Sequence, residues 1–234
     1  MADFGERLPG IELGQFVPGN SSESMDELHR ILANQAMHAE YDQVLLHEIQ
    51  ITLPDPETMD ILQRQYDEHR YTPIPGLVAH EGAGQLLESV QRARKRWVSD
   101  DREKLRWEER VFATGDPALE FFRRPELLGL AQRLASFKGL SGLHSWSASY
   151  GQGAFLGPHR DKSGTTQLLI CLQSPENPDN GGALVVNGEP LFLQSGDAVL
   201  FEATSLEHYT TPLISTPDMP NPKRIILVGR YFLE

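Results

Sequence analysis

From residue 141 to its C-terminal end the chain is a succession of short apolar segments cut by turn residues, a pattern that restricts it to an antiparallel sandwich or barrel. The segments predict strands at His144–Tyr150, Thr165–Gln173, Ala183–Val186, Pro190–Leu193, Ala198–Glu202, Glu207–Pro212 and Arg224–Phe232. Val186-Asn187-Gly188-Glu189 reads as a tight hairpin, because Asn-Gly tolerates the positive φ angles of a type I′ turn. Strands this short do not stand alone. One of their faces must be buried against a second sheet or against helices.

Residues 1–140 differ in kind. They carry 40 charged side chains, against 14 in residues 141–234, and their apolar residues recur at helical spacing. Met25, Leu28, Ile31 and Leu32 follow the candidate caps Ser21, Ser22 and Ser24, and further helices are predicted over Glu57–His69, Gly84–Trp97 and Pro125–Phe137. Val44–Leu53 reads as a strand halted by Pro54. The expected class is α+β. Residues 1–140 form a helical buttress with at least one strand, packed on a β core of residues 141–234 as one compact unit.

Charge narrows the function. With 33 acidic against 21 basic side chains the net charge is −12, whereas proteins that coat DNA or RNA show a basic excess for phosphate neutralisation. The dense cluster Arg92-Ala93-Arg94-Lys95-Arg96-Trp97 is followed by Asp100, Asp101 and Glu103 and reads as a solvated helix face. Cys171, the sole cysteine, excludes an internal disulfide and a multi-cysteine zinc site and fits a reducing compartment. Within Leu168–Leu172 it reads as a small buried hydrophobe. The N-terminal residues lack a basic start and apolar run, and no apolar stretch approaches the roughly 18 residues of a membrane span. The expectation is a soluble, cytoplasmic protein.

Chemistry concentrates at His159-Arg160-Asp161 and at His208, 47 residues beyond Asp161. Residues two apart on a strand share a face, so His159 and Asp161 can approach one ion, with His208 closing the set from a distant strand. Two imidazoles and one carboxylate suit the facial triad of non-haem Fe(II) oxygenases, which leaves positions open for cosubstrate and oxygen. His-x-Asp alone is weak evidence in a chain of 8 histidines, and His29, His38 and His47 read as surface residues. The surroundings carry more weight. Tyr150 precedes His159, Gly181-Gly182-Ala183-Leu184 follows the next strand, Gly196–Phe201 precedes His208, and Arg224–Phe232 forms the last strand.

In that order these features resemble the 2-oxoglutarate/Fe(II)-dependent dioxygenases, in particular their prolyl-hydroxylase-like branch, over about residues 142–232. The resemblance implies a double-stranded β-helix, or jelly-roll, with His159, Asp161 and His208 as iron ligands and Fe(II), 2-oxoglutarate and O2 as cofactor and cosubstrates. It makes Arg224 the partner of the distal carboxylate of 2-oxoglutarate, a task suited to a planar guanidinium fork. Tyr150 would bind the same carboxylate or the substrate beside it, and Arg230, on the same strand face as Arg224, is grouped with the cosubstrate. His144 and Trp146 share parity with Tyr150 and are expected to face the cavity and touch substrate, with core packing the alternative for Trp146.

The implied reaction passes through a ferryl species, releases succinate and carbon dioxide, and hydroxylates, desaturates or cyclises a small-molecule or amino-acid-derived substrate. A carboxylate at Asp161 speaks against halogenation, which needs a small residue there. Protein or peptide hydroxylation is the alternative. Arg224 and Arg230 also resemble the paired arginines of alkylation-repair dioxygenases, a reading the acidic charge disfavours. An inert jelly-roll binding module would lack a ligand or an anchor, and none is missing. Two departures stand out: Ile226 replaces a frequent serine or threonine, and Thr211–Lys223 lengthens the interval before Arg224. Lys223 is thus a second candidate anchor, with Arg224 preferred because it alternates with Ile226, Val228 and Arg230. The proline-rich stretch 211–222 reads as a lid or a surface loop.

Overall fold

Asp55 starts the first helix: its side chain accepts a hydrogen bond from the Thr58 amide at 2.9 Å, and Pro56 fills the first-turn position where no amide is needed. The computed structural model describes residues 48–92, 96–100, 105–112, 117–137 and 139–233, which fall in one compact unit, Asp42–Glu234. The helices are α1 (Pro56–His69), α2 (His80–Arg92), α3 (Pro117–Phe122) and α4 (Pro125–Ala135). The strands are β1 (Tyr71–Ile74), β2 (Arg96–Asp100), β3 (Leu105–Phe112), β4 (Leu140–Tyr150), β5 (Leu156–His159), β6 (Thr166–Gln173), β7 (Leu184–Val186), β8 (Glu189–Leu191), β9 (Ala198–Phe201), β10 (His208–Thr210) and β11 (Arg224–Leu233).

They make two antiparallel sheets. The larger has the order β1-β9-β6-β11-β4-β3-β2 and the smaller β5-β10-β7-β8. Alternation gives the larger sheet two apolar faces. Ile225, Leu227 and Tyr231 of β11, with Leu168, Ile170 and Leu172 of β6, pack with Leu62, Leu86, Phe122, Leu127 and Leu134 of the helices. Ile226 and Val228, with Leu169, Cys171, Val199 and Phe201, pack with Leu184, Val186 and Leu213 from the side of the smaller sheet. Each such side chain contributes about 1.5–3 kcal/mol by leaving water. Burial on both faces explains why Leu168–Leu172 of β6 is an unbroken apolar run rather than an alternating one. Gly229 lies where Phe122 meets the sheet, and a Cβ there would sit 2.5 Å from the phenyl ring.

The α+β class and the seven predicted C-terminal strands are found, each within a few residues of its expected bounds, and β7 and β8 join through Asn187 and Gly188 at φ 50° and 87°. Three expectations change. The helix over Gly84–Trp97 begins at His80 and ends at Arg92, and Arg96 and Trp97 belong to β2, so the basic cluster does not share one helix. Of the strand Val44–Leu53, the described part, from Glu48 on, makes a single bridge between Ile51 and Val78. There Ile49 is buried among the helices and its carbonyl is taken by Arg124 at 2.6 Å, which leaves no partner strand. Strands β1, β2 and β3 were not expected, and β5, the strand implied for His159 and Asp161, ends at His159. β1 and β5 carry Pro73 and Pro158, residues that read as breakers in sequence but are tolerated here because both strands are sheet edges. The helix expected around Met25–Leu32, and His29, His38 and His47, lie outside the described residues.

Candidate active site

Strands β5 and β10 are hydrogen-bonded neighbours, and their register places His159 opposite His208. The two histidines are far apart in sequence yet on adjacent strands, not on distant ones. Asp161 lies beyond the end of β5, so strand alternation is not what aims it. Its amide donates to the Ala203 carbonyl at 2.9 Å, which ties the residue to the loop after β9. The three donor atoms lie within 4.8 Å of one another, and among the described residues this is the one such cluster of metal-ligating side chains.

Hydrogen bonding sets the tautomers. The Nδ1 atoms of His159 and His208 bond the carbonyls of Gly157 and Leu206 at 2.8 and 3.1 Å. A carbonyl only accepts, so each Nδ1 carries a hydrogen, which in the neutral ring leaves Nε2 with the lone pair that a metal needs. Nε2 of His159 is 3.8 Å from Oδ1 of Asp161, and the two imidazole centroids are 4.2 Å apart. Burial, then the adjacent His159, hold the His208 pKa down to about 4, so its imidazole is neutral at neutral pH. Two imidazole nitrogens and one carboxylate oxygen fit a divalent iron-type ion with coordination positions to spare.

A second centre lies deeper between the sheets. Arg224, at the start of β11, is 1% exposed. Its Nη1 donates to Thr210 Oγ at 3.3 Å, and its guanidinium lies 5.5 Å from the Tyr150 ring centroid. Its Nη2 is buried with no hydrogen-bond partner among the described residues. A buried cation without a carboxylate is costly, and the arrangement suits an anion that enters from outside the chain. Thr210 is two residues from His208 on the same face of β10, about 7 Å at ~3.3 Å per residue. That separation matches a short dicarboxylate with one end at the histidines and the other at Arg224.

Lys223, the other candidate anchor, is exposed. Ile226 packs in the apolar interior, and the hydroxyl beside the arginine comes instead from Thr210, on the facing sheet. Sequence reasoning missed Thr210. The His208-Tyr209-Thr210 alternation is the signal that marks it as a residue on the histidine's face. Arg230, grouped in expectation with Arg224, lies six residues along β11, about 20 Å away at the strand rise. The structure places it on Asp161 at 2.7 Å. Gln167, also unforeseen, donates to the same carboxylate oxygen.

Trp146 is half-buried beneath the Arg230 guanidinium at 4.7 Å, and His144 is exposed with its ring edge-on to Phe232 at 4.8 Å. Cys171 is buried and bonds the Leu193 carbonyl at 3.4 Å; burial pushes its thiol pKa up to about 11. The proline-rich loop is fastened along its first half. Gly153 and Ala154 exchange backbone hydrogen bonds with Leu213, Ile214 bonds Asn180, and the Asn180 side chain donates to Ile214 O and Thr216 Oγ. Among the described residues no helix is long and apolar enough to cross a membrane.

Neither a protein family nor a curated protein matches the sequence. Solved structures do match the fold. A prolyl-4-hydroxylase from Pseudomonas putida aligns with TM-score 0.60 and 16% identity over 75% of this chain and 99% of its own. An oxidoreductase of the 2OG-Fe(II) oxygenase family from Burkholderia pseudomallei gives 0.61 and 14% over 77% and 93%. The epimerase SnoN from nogalamycin biosynthesis, in complex with Fe3+, alpha ketoglutarate and nogalamycin RO, gives 0.56 and 15% over 75% and 84%. In fold, the chain belongs with the 2-oxoglutarate/Fe(II) oxygenase structures, prolyl-4-hydroxylase-like ones among them.

Proposed function

We propose that the protein is an Fe(II)- and 2-oxoglutarate-dependent dioxygenase that hydroxylates, desaturates or cyclises a small-molecule or amino-acid-derived substrate and releases succinate and carbon dioxide. In this reading the two sheets are the halves of a double-stranded β-helix, and residues 1–140 and 141–234 work as one catalytic unit. One observation carries it: a buried arginine with an unpartnered Nη2 is bonded to Thr210, two residues along β10 from His208 in a cluster of two histidines and an aspartate.

His159, Asp161 and His208 would hold the metal through His159 Nε2, Asp161 Oδ1 and His208 Nε2. Arg224, Thr210 and Tyr150 would hold the distal carboxylate of the cosubstrate. The apolar side chains of Leu169, Val199, Phe201 and Val228 keep the space between the sheets dry, which strengthens the charge pairing at Arg224. Bound iron and 2-oxoglutarate supply the oxidising power for an unactivated C–H bond, which no side chain provides. Trp146 and His144, on the same face of β4 as Tyr150 but toward the Asp161 end, would meet the substrate. The carboxylate at Asp161 favours hydroxylation and related oxidations over halogenation.

The likeness to a prolyl-4-hydroxylase favours a second reading, hydroxylation of a peptidyl residue. Succinate release measured against a panel of small metabolites and proline-containing peptides separates the two. Stimulation by a small molecule supports the first reading, and stimulation by peptides alone replaces it with the second. No succinate under any condition in the Fe(II)-loaded protein removes both.

A further inference from the structure

The two oxygens of Asp161 have different surroundings. Oδ1 faces His159 Nε2 at 3.8 Å, whereas Oδ2 receives Arg230 Nη2 at 2.7 Å and the Gln167 amide. Arg230 and Gln167 are directly opposite on β11 and β6, and both point between the sheets. Gln167 is 3% exposed, a buried polar residue on a face otherwise made of Leu169 and Cys171.

The Arg230 side chain is itself enclosed. Its guanidinium lies over the Trp146 ring, and Gly164, at φ 82°, leaves the space its stem occupies: a Cβ there would be 2.5 and 2.6 Å from Arg230 Cγ and Cδ. The segment that carries Asp161 and Gly164 is tied to β11 by the hydrogen bond from the Thr165 amide to Tyr231 O at 2.8 Å. Two strands, β11 and β6, thus donate to one carboxylate oxygen, and Trp146 and Gly164 pack around the arginine that does so.

We propose that Arg230 and Gln167 are positioning residues that restrict Asp161 to one metal-facing oxygen, keeping the place beside it free for a chelating keto acid. The inference rests on the metal reading above. A carboxylate with both oxygens free can turn and bind a cation through both. One whose second oxygen holds a charge-assisted and an amide hydrogen bond cannot do so without losing them. Removing Arg230 has two opposed effects on the bare metal: loss of alignment weakens binding, and loss of a nearby positive charge strengthens it. Chelation by 2-oxoglutarate has no such compensation, because a two-oxygen aspartate occupies the position it needs.

The test is Mn(II) binding to the full-length protein, followed by the electron paramagnetic resonance signal of free Mn(II), with and without 2-oxoglutarate. Arg230→Met and Gln167→Leu are compared with wild type, Arg230→Lys serves as the conservative variant, and thermal unfolding of the metal-free proteins checks their folding. Expected are a Mn(II) affinity within about threefold of wild type, where the two effects offset, and a loss of about tenfold in the tightening that 2-oxoglutarate produces, the low end of the roughly 10–100-fold that a lost outer contact costs metal affinity or activity. Arg230→Lys should recover part of that loss. Wild-type protein that binds Mn(II) no better than bulk buffer would overturn the metal reading itself. Wild-type coupling that persists in both variants overturns the clamp alone, as does an equal loss with and without 2-oxoglutarate in a destabilised protein.

Discussion

Arg224 is the residue on which the account places the greatest energetic demand, because a guanidinium at 1% exposure with an unpartnered Nη2 is a liability in the unliganded protein. Arg224→Met should therefore leave thermal stability equal to or above wild type while weakening 2-oxoglutarate by about 10–100-fold. That factor corresponds to a charged hydrogen-bond set of roughly 1.5–3 kcal/mol. Mn(II) binding should stay unchanged, and calorimetric titration of both ligands checks the pair of outcomes. Cys171 gives a second test at this scale. With its pKa raised from 9.0 to about 11 by burial, the thiolate that reacts is scarce at pH 8. Native protein should not react with a disulfide reagent at that pH, and one thiol should appear on unfolding. Fast labelling of the native state would contradict the burial. That His159, Asp161 and His208 come together was legible in the sequence from residue type and order, and Arg224 on the inward face of β11 from strand parity, whereas Asp161 is aimed by its loop rather than by alternation. Thr210, Gln167 and the placement of Arg230 on Asp161 were not legible, since each depends on which strands become neighbours and in what register.

At the scale of elements, close approach between α3 and the larger sheet depends on the absence of a side chain at Gly229, against which Phe122 rests. Gly229→Ala should cost about 1–3 kcal/mol by overpacking. Phe122→Leu in the same chain should return part of that, and denaturant unfolding of the single and double variants measures the coupling. The seven C-terminal strands could be read because apolar runs and Asn187-Gly188 punctuate them, whereas β1 was concealed by Pro73 and the bounds of β5 by Pro158. Those prolines are compatible with strands only at a sheet edge, and edge position is a property of the assembled sheet. The end of α2 before β2 was hidden for a similar reason: the charged stretch Arg92–Trp97 has good local helix formers, and pairing of β2 with β3 overrides them.

At the scale of the molecule, helices cover one face of the larger sheet and the smaller sheet lies against the other, which leaves the candidate centres between the sheets. The net charge of −12 is spread over the chain, yet Arg224 and Arg230 lie on one inward face of β11, the first unpartnered at Nη2 and the second held by Asp161 through Nη2, with its Nε unpartnered. An acidic protein with a buried cation fits a small dicarboxylate better than a polyanion. The most direct measurement is the visible absorption of the full-length protein after anaerobic addition of Fe(II) and 2-oxoglutarate. The account predicts a weak charge-transfer band that needs both additions and is lost in His208→Ala. Absence of the band in wild-type protein, or its survival in His208→Ala, would contradict the assignment of this site to keto-acid-dependent iron chemistry.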